Sequence, residues 1–198
     1  MTLPQQWATP EDFATLFQYF WHRDFPIDET ATGAKRTDWT IHIGVIVRNI
    51  ADLMGMVTRF ESGGRKDAVL RSFEGDEIAV EWEWGGAQGN ELEKLKDHRV
   101  WSRDKLVDRV LRYAVFITYT DTADMTEAYD YVGRTWQGSR WPLLLILLDV
   151  EKSRRFSSGR RFKDIHLSIF DPSGRKDLRE VPAFPWKIGG SRWCSQAP

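Results

Sequence analysis

The amino-acid sequence predicts an α/β fold in a single domain, and three observations lead to that prediction. The length of 198 residues suits one domain with one sizeable core. The composition, 41% hydrophobic and 29% charged, is that of a globular protein. The hydrophobic period changes along the chain from helical to alternating and then mixes both kinds of segment. We expect one domain over residues 1–198, with a core at 38–150 and a basic C-terminal extension at 151–198.

The first two elements are predicted to be helices. A Thr9 cap, Pro10 at the first helical position and two acids in the first turn start a helix that we expect to end near residue 23. A second helix is expected from residue 37 or 38 until Gly55 ends it. Its apolar residues recur at helical spacing: Ile43, Ile46, Val47, Ile50, Leu53 and Met54.

The middle of the chain is predicted to form a three-strand antiparallel meander, because residues 56–84 alternate between apolar and polar. We place its strands at 56–61, 66–72 and 77–84. Helices and further strands then follow: helices at 91–99, 102–112 and 124–136, and strands at 113–119, 141–150 and 165–170.

Two glutamates of the third meander strand share one face of the predicted sheet. Successive side chains of a strand point to opposite faces, so Glu81 and Glu83 lie opposite the face of Trp82 and Trp84. Two carboxylates on one face form a candidate site.

The turn between the second and third strands decides whether Asp67 joins these glutamates. A three-residue loop at 73–75 would set Asp67 directly opposite Glu81. A two-residue turn at 74–75 would pair Asp67 with Trp82 and separate the acids. The sequence leaves both turns open.

Directly opposed carboxylates would repel each other unless a cation lies between them, since cross-strand neighbours have Cβ atoms only about 5 Å apart. Mg²⁺ or Mn²⁺ takes oxygen ligands and is commonly held by one or two carboxylates plus a substrate phosphate. We therefore predict Asp67 and Glu81 as metal ligands. Glu83 would position or deprotonate the attacking water.

These elements resemble the PD-(D/E)XK nuclease superfamily over about residues 38–120. The likeness lies in a helix, a hairpin with Asp67 in its second strand, Glu81-Trp82-Glu83 in the third strand, and a following helix and strand. The resemblance implies a restriction-endonuclease-like fold, in which helices flank a mixed sheet. It also implies Mg²⁺-dependent hydrolysis of phosphodiester bonds, the activity of an endonuclease.

The sequence departs from the family pattern at two points. No proline precedes Asp67, and Glu83 stands where the family usually has lysine. In some members the lysine comes from the following helix, and Lys94 or Lys96 would then stabilise the developing charge. Asp52 would supply the extra acid that some members use.

The net charge of −1 conceals two halves of opposite sign. Residues 151–198 carry 11 Lys/Arg and 5 Asp/Glu, a net charge of +6, which leaves −7 for residues 1–150. An acidic site beside a basic flank suits nucleic acid as the partner, although the basic segment also suits a solvated loop. The residues expected to contact phosphates are Lys152, Arg154, Arg155, Arg160, Arg161 and Lys163.

Composition also narrows the location of the protein. Cys194 is the only cysteine, so the chain has no disulfide framework. The longest apolar stretch, residues 143–148, is far shorter than the roughly 20 residues that a bilayer requires. We expect a cytoplasmic protein with no membrane partner. Cutting both strands of a duplex would favour a two-fold homodimer, for which the sequence marks no interface.

Three other interpretations stay open at this level. Glu81 and Glu83 would also suit the solvated face of an edge strand, with Asp67 paired to Arg65 or Arg71. The chain would equally suit a catalytically inactive nuclease-like module that binds nucleic acid or a protein partner. Finally, it would suit a structural or interaction protein whose acids are merely solvated.

Overall fold

Helices and strands alternate along the chain in the order of an α/β protein. The computed structural model describes residues 8–25, 36–62, 65–84, 90–102, 105–152 and 160–188. The helices in these ranges are α1 (Pro10–Arg23), α2 (Arg36–Leu53), α3 (Asn90–Lys94) and α4 (Met125–Trp136), with 3₁₀ turns at Thr122–Asp124 and Pro185–Lys187. The strands are β1 (Val57–Ser62), β2 (Lys66–Ser72), β3 (Gly75–Glu83), β4 (Arg99–Ser102), β5 (Lys105–Asp108), β6 (Tyr113–Asp121), β7 (Leu143–Lys152), β8 (Arg160–Asp171) and β9 (Gly174–Pro182).

Helix α1 begins where the sequence predicts. The Thr9 hydroxyl accepts a hydrogen bond from the Asp12 amide, and the Asp12 carboxylate accepts one from the Thr9 amide. Pro10 lacks the amide hydrogen that would be unpaired at this position. The helix buries an apolar face: Phe13, Ala14, Phe17, Phe20 and Trp21.

Seven strands form one mixed sheet in the order β1-β2-β3-β6-β7-β8-β9. The β3–β6 and β6–β7 pairs are parallel, and the remaining pairs are antiparallel. The predicted fold class is therefore confirmed, since an antiparallel β1-β2-β3 meander belongs to a mixed sheet that helices flank.

Helices cover both faces of this sheet. Helices α1 and α2 pack on the face that contains Ile78 and Val80, whereas α3 and α4 pack on the face that contains Ala79 and Phe116. Burial on both faces explains why β6 and β7 are almost continuously apolar. None of the described helices is both long and apolar enough to cross a bilayer.

The predicted helices at 91–99 and 102–112 need correction. Helix α3 ends at Lys94, where the amides of Leu95 and Lys96 bond to carbonyls three residues back and tighten the last turn. Strands β4 and β5 then pair as an antiparallel hairpin where the second helix was expected. The β-branched Val107 and Val110 favour extended backbone over helix.

One strand follows the strand that was expected to be the last. Strand β9 pairs antiparallel with β8 and forms an edge of the sheet. Most of its residues are exposed, so no apolar alternation marks it in the sequence. Strands β8 and β9 join part of the predicted basic extension to the sheet.

Candidate functional site

The turn between β2 and β3 differs from both forms considered above. Ser72 pairs with Gly75, so the loop consists of residues 73 and 74. Gly75 has a φ of 134°, a conformation that residues with a Cβ rarely adopt. The predicted three-residue loop is therefore wrong, and so is the alternative turn at 74–75.

A β-bulge nevertheless produces the register that the longer loop would have given. One extra residue in β3 shifts the pairing by one position near the turn. Beyond the bulge Ala68 pairs with Val80. The next position along this ladder sets Asp67 beside Glu81.

The carboxyl groups of Asp67 and Glu81 meet on the α3 side of the sheet. Asp67 Oδ2 accepts a hydrogen bond of 2.8 Å from the Trp82 amide, and the carboxylate of Asp67 is close enough for its charge to raise the pKa of Glu81. The structure thus brings the two predicted metal ligands together.

Glu81 lies fully inside the protein, with 0% of its surface exposed. Neither of its carboxylate oxygens finds a hydrogen-bond donor among the described residues. Burial, followed by the charge of Asp67, raises the pKa of Glu81 to about 9. Burial also raises the pKa of Asp67, although the Trp82 amide offsets part of the effect.

This burial overturns the interpretation of Glu81 as a solvated residue. Strand β3 lies between β2 and β6 and is not an edge strand. Arg71, one of the two arginines suggested as partners of Asp67, forms an ion pair with Asp76 at 3.1 Å. A fully buried carboxylate with unused oxygens therefore requires an explanation other than solvation.

Helix α3 brings a cation and a further acid towards the pair. Lys94 forms an ion pair with Glu91, whose charge contributes to the raised pKa values of Asp67 and Glu81. Burial acts to lower the pKa of Lys94, but Glu91, Glu81 and Asp67 outweigh it and raise that pKa. Of the two lysines predicted from α3, Lys94 is thus an electrostatic neighbour of the carboxylates.

The sequence analysis missed Lys66, which has only 2% of its surface exposed. Its Nζ donates a hydrogen bond of 2.8 Å to the carbonyl oxygen of Asp97, just beyond α3. Burial lowers the pKa of Lys66, and the charge of Glu81 is the strongest influence that opposes this shift. Its position next to Asp67 could have marked it, but strict alternation points neighbouring side chains to opposite faces.

The other predicted catalytic residues lie beyond the carboxylate pair. Glu83 is two residues further along β3 on the same face, and its carbonyl oxygen accepts a hydrogen bond of 2.9 Å from the Thr118 hydroxyl. Lys96 forms an ion pair with Glu93 at 3.6 Å.

Asp52, suggested as an extra acid, is placed differently. It lies exposed on α2, 4.0 Å from Arg48, and α2 packs on the opposite face of the sheet from Glu81. The structure does not bring Asp52 to the site.

The chemistry of the site fits a hard divalent cation held by two ligands. Among the described residues no group of three or more His, Cys, Asp or Glu side chains is arranged to hold a metal ion. One or two carboxylates commonly hold Mg²⁺, which keeps waters and takes substrate oxygens for its remaining positions. The two unpaired oxygens of Glu81 beside Asp67 are the donors that such an ion needs.

Only part of the predicted phosphate-binding set falls within the described residues. Arg154 and Arg155 lie outside them, and Lys152, Arg160 and Arg161 are described by backbone alone. Lys163 forms ion pairs with Asp149 and Asp164, both at 3.4 Å. Its charge is therefore largely matched within the fold.

Comparison with known proteins leaves the family open. No family model matches the chain, and no curated protein matches it. The chain is similar to the YaeQ protein from Pseudomonas syringae, with 11% identity, coverage of 88% of this chain and 78% of that chain, and a TM-score of 0.28. It is also similar to the YaeQ protein from Xanthomonas axonopodis pv. citri, with 11% identity, coverage of 89% and 81%, and a TM-score of 0.24. Both TM-scores are far below 0.5, so the likeness assigns neither family nor function.

Proposed function

We propose that this chain is a metal-dependent nuclease of the PD-(D/E)XK type, which hydrolyses phosphodiester bonds with Mg²⁺ or Mn²⁺. One observation carries the proposal: a half-buried Asp67 lies beside a fully buried Glu81, and neither oxygen of Glu81 has a donor among the described residues. A buried acidic pair of this kind is costly for a fold unless it serves a cation. The cost argues for a role in function.

The chain's own residues would divide the work as follows. Asp67 and Glu81 hold the ion, which when bound supplies Lewis acidity towards a phosphate oxygen. Glu83 orients or deprotonates the attacking water. Lys94 places a positive charge near the reacting phosphate, where charge develops in the transition state. Lys66 places a positive charge near Glu81.

Nucleic acid is the substrate class that best suits the charge distribution. The acidic part of the chain would hold the metal. The basic residues from Lys152 to Lys163 begin at the end of β7, a strand that runs parallel to β6 and β3. The carboxyl ends of these three parallel strands lie at the same end of the sheet. The basic segment therefore begins at the end of the sheet nearest to Glu81 and Glu83 on β3. Basic residues that start from this end of the sheet would contact backbone phosphates.

A second candidate is a nuclease-like module that binds nucleic acid or a protein partner without cutting. The observation that favours it is the complete burial of Glu81, together with Glu83 in the place of a lysine. A substrate phosphate must reach the metal, and a carboxylate with no exposed surface restricts that approach.

Cleavage assays with single substitutions test the leading proposal. Supercoiled plasmid, single-stranded DNA and RNA are incubated with the protein and Mg²⁺ or Mn²⁺, with EDTA as the blank. We expect Asp67→Asn and Glu81→Gln to lower the cleavage rate by about 100-fold or more, because each removes a negative ligand of the ion. Glu74→Gln, an exposed acid on the same hairpin, should cut like the wild type. Equal cutting by all four proteins would contradict the assignment.

Metal binding separates the two candidates without an activity readout. Mn²⁺ should raise the melting temperature of the wild type, because an ion that binds only the folded state stabilises it. The same ion should leave Glu81→Gln unchanged. Metal-dependent stabilisation without cleavage of any substrate would favour the non-catalytic module. If the ion does not stabilise the wild type at all, the assignment of Asp67 and Glu81 as metal ligands is wrong.

A further inference from the structure

Exposed apolar side chains are concentrated on helix α2 and strand β1. Nine large apolar residues of the described ranges are exposed, and five of them lie on α2 and the adjacent strand β1. They are Ile41, Val45, Leu53, Val57 and Phe60. This concentration differs from the single, scattered apolar residues that ordinary surfaces carry.

Three of these residues form a continuous surface, which we call the α2–β1 patch: Ile41, Val45 and Phe60. Ile41 and Val45 are one helical turn apart on the same face of α2, with 61% and 43% of their surfaces exposed. The Phe60 ring lies against the backbone of Gly44, 3.8 Å from the position that a Cβ there would occupy. Phe60 itself is 48% exposed, so helix and strand present one apolar area.

The patch borders an open edge of the sheet. Among the described strands, β1 pairs with β2 alone, so its outer row of amide and carbonyl groups faces away from the sheet. The opposite edge, β9, is highly charged and forms polar contacts with α1, such as Lys176 with Glu11 and Arg179 with Gln18. Of the two edges, β1 is the one whose apolar residues favour pairing with another strand.

The charges on β1 are complementary to a second copy of the same strand. Arg59 and Glu61 flank Phe60 and are both exposed. In an antiparallel pair with its two-fold axis at Phe60, each Arg59 faces the Glu61 of the other strand. An axis at Arg59 or at Glu61 would instead oppose like charges, which costs stability. Glu61 has a φ of 50°, which departs from extended backbone, so the long side chains of Glu61 and Arg59 would make this contact without a regular ladder at that position.

We propose that the α2–β1 patch is the interface of a homodimer, in which two β1 strands meet antiparallel across a two-fold axis at Phe60. A two-fold axis closes the assembly and lets one self-complementary surface serve both copies. The two α2 helices lie on the same face of the extended sheet, where Ile41 and Val45 of each copy are covered. This dimer does not depend on the nuclease assignment.

Sedimentation of the wild type and of charge variants tests this interface. Wild-type protein should show a monomer–dimer equilibrium over about 1–100 µM, the range expected of an interface of modest affinity. Arg59→Glu places two like-charge contacts in each dimer and should raise the dissociation constant by about tenfold or more. The double variant Arg59→Glu/Glu61→Arg reverses both charges and should restore dimerisation.

Two further variants test the apolar part of the interface and provide a control outside it. Ile41→Glu inserts a charge into the apolar patch and should also abolish the dimer, while Val110→Glu, at a residue 70% exposed outside the patch, should not. All four substituted side chains are exposed, and far-UV circular dichroism checks that each variant is folded. A wild type that stays monomeric, or a dimer that Arg59→Glu leaves intact, would overturn the proposal. A dimer that the double variant fails to restore would overturn the Arg59–Glu61 pairing and with it the axis at Phe60.

Discussion

Glu81 holds its proton more tightly in the folded chain than in the unfolded chain. Its pKa rises from the ordinary value of 4.5 to about 9, because of burial first and the charge of Asp67 second. Between these two values the unfolded state has lost the proton and the folded state has not. The stability associated with Glu81 is therefore fully present below pH 4.5 and is lost as the pH rises through 9.

Glu81→Gln should remove this pH dependence, because glutamine is neutral and can donate a hydrogen bond to Asp67. Without divalent cations, we expect the variant to become more stable than the wild type as the pH rises from 5 to 9. One pKa unit is worth about 1.4 kcal/mol, so the difference amounts to several kcal/mol. Urea unfolding with EDTA at several pH values measures it. A constant difference across this range would contradict the raised pKa.

His42 shows the opposite pH dependence within an aromatic cluster. Its ring centroid lies 5.1 Å from that of Trp21 and 6.0 Å from that of Trp39, and burial lowers the pKa of His42 from 6.5 to about 4. The unfolded chain takes up a proton first as the pH falls, so the stability present above pH 6.5 is lost down to about pH 4.

His42→Phe should make the protein less sensitive to acid. The variant keeps a ring of similar size in the aromatic cluster but cannot be protonated. Relative to pH 8, the wild type should lose up to about 3 kcal/mol more than the variant by pH 4. Chemical denaturation at pH 8, 6 and 4 checks this difference. Parallel losses in both proteins would show that other groups govern unfolding in acid.

At the scale of elements, the turn of the β2–β3 hairpin depends on Gly75. Its φ of 134° strains any residue with a Cβ, although no atom lies within 4 Å of the position that a Cβ would take. Gly75→Ala should therefore destabilise the protein by about 1–3 kcal/mol through the backbone alone. Gly133→Ala, inside α4, is the matched control and should stabilise it by up to about 1 kcal/mol, since its Cβ would make an ordinary 3.6 Å contact with Phe170. Urea titrations compare them, and equal effects would contradict the role of Gly75.

The same hairpin shows how far the sequence predicts the site. Alternation along β3 places Glu81 and Glu83 on one face, because successive side chains of a strand point to opposite faces. The bulge near Gly75 is one extra residue with no hydrophobic signature, so only the structure reveals the shift in pairing that sets Asp67 beside Glu81. The side chain of Lys66 escapes prediction for a similar reason, since its contact with Asp97 depends on tertiary structure.

Among the elements, hydrophobic patterns predict the buried strands and miss the polar ones. Strands β6 and β7 are almost continuously apolar because helices cover both faces. Strand β9 carries exposed charges at an edge, and only its pairing with β8 makes it a strand. The β4–β5 hairpin lies outside the main sheet, so no core face imposes a period on its sequence.

For the whole molecule, the order of the strands predicts a gradient of local stability. Strands β6 and β7 lie near the middle of the sheet with buried residues on both faces, whereas β9 is an exposed edge. Amides in the middle of the sheet exchange only when the hydrophobic clusters on both faces of the sheet come apart. Amides at the edge exchange through local fraying. Native-state hydrogen exchange in low urea should therefore give residues 115–117 and 144–147 the free energy of global unfolding. Residues 175–180 should exchange at distinctly lower free energies that depend little on urea. Equal protection of β9 and β7 would instead mean that the edge strand unfolds together with the core.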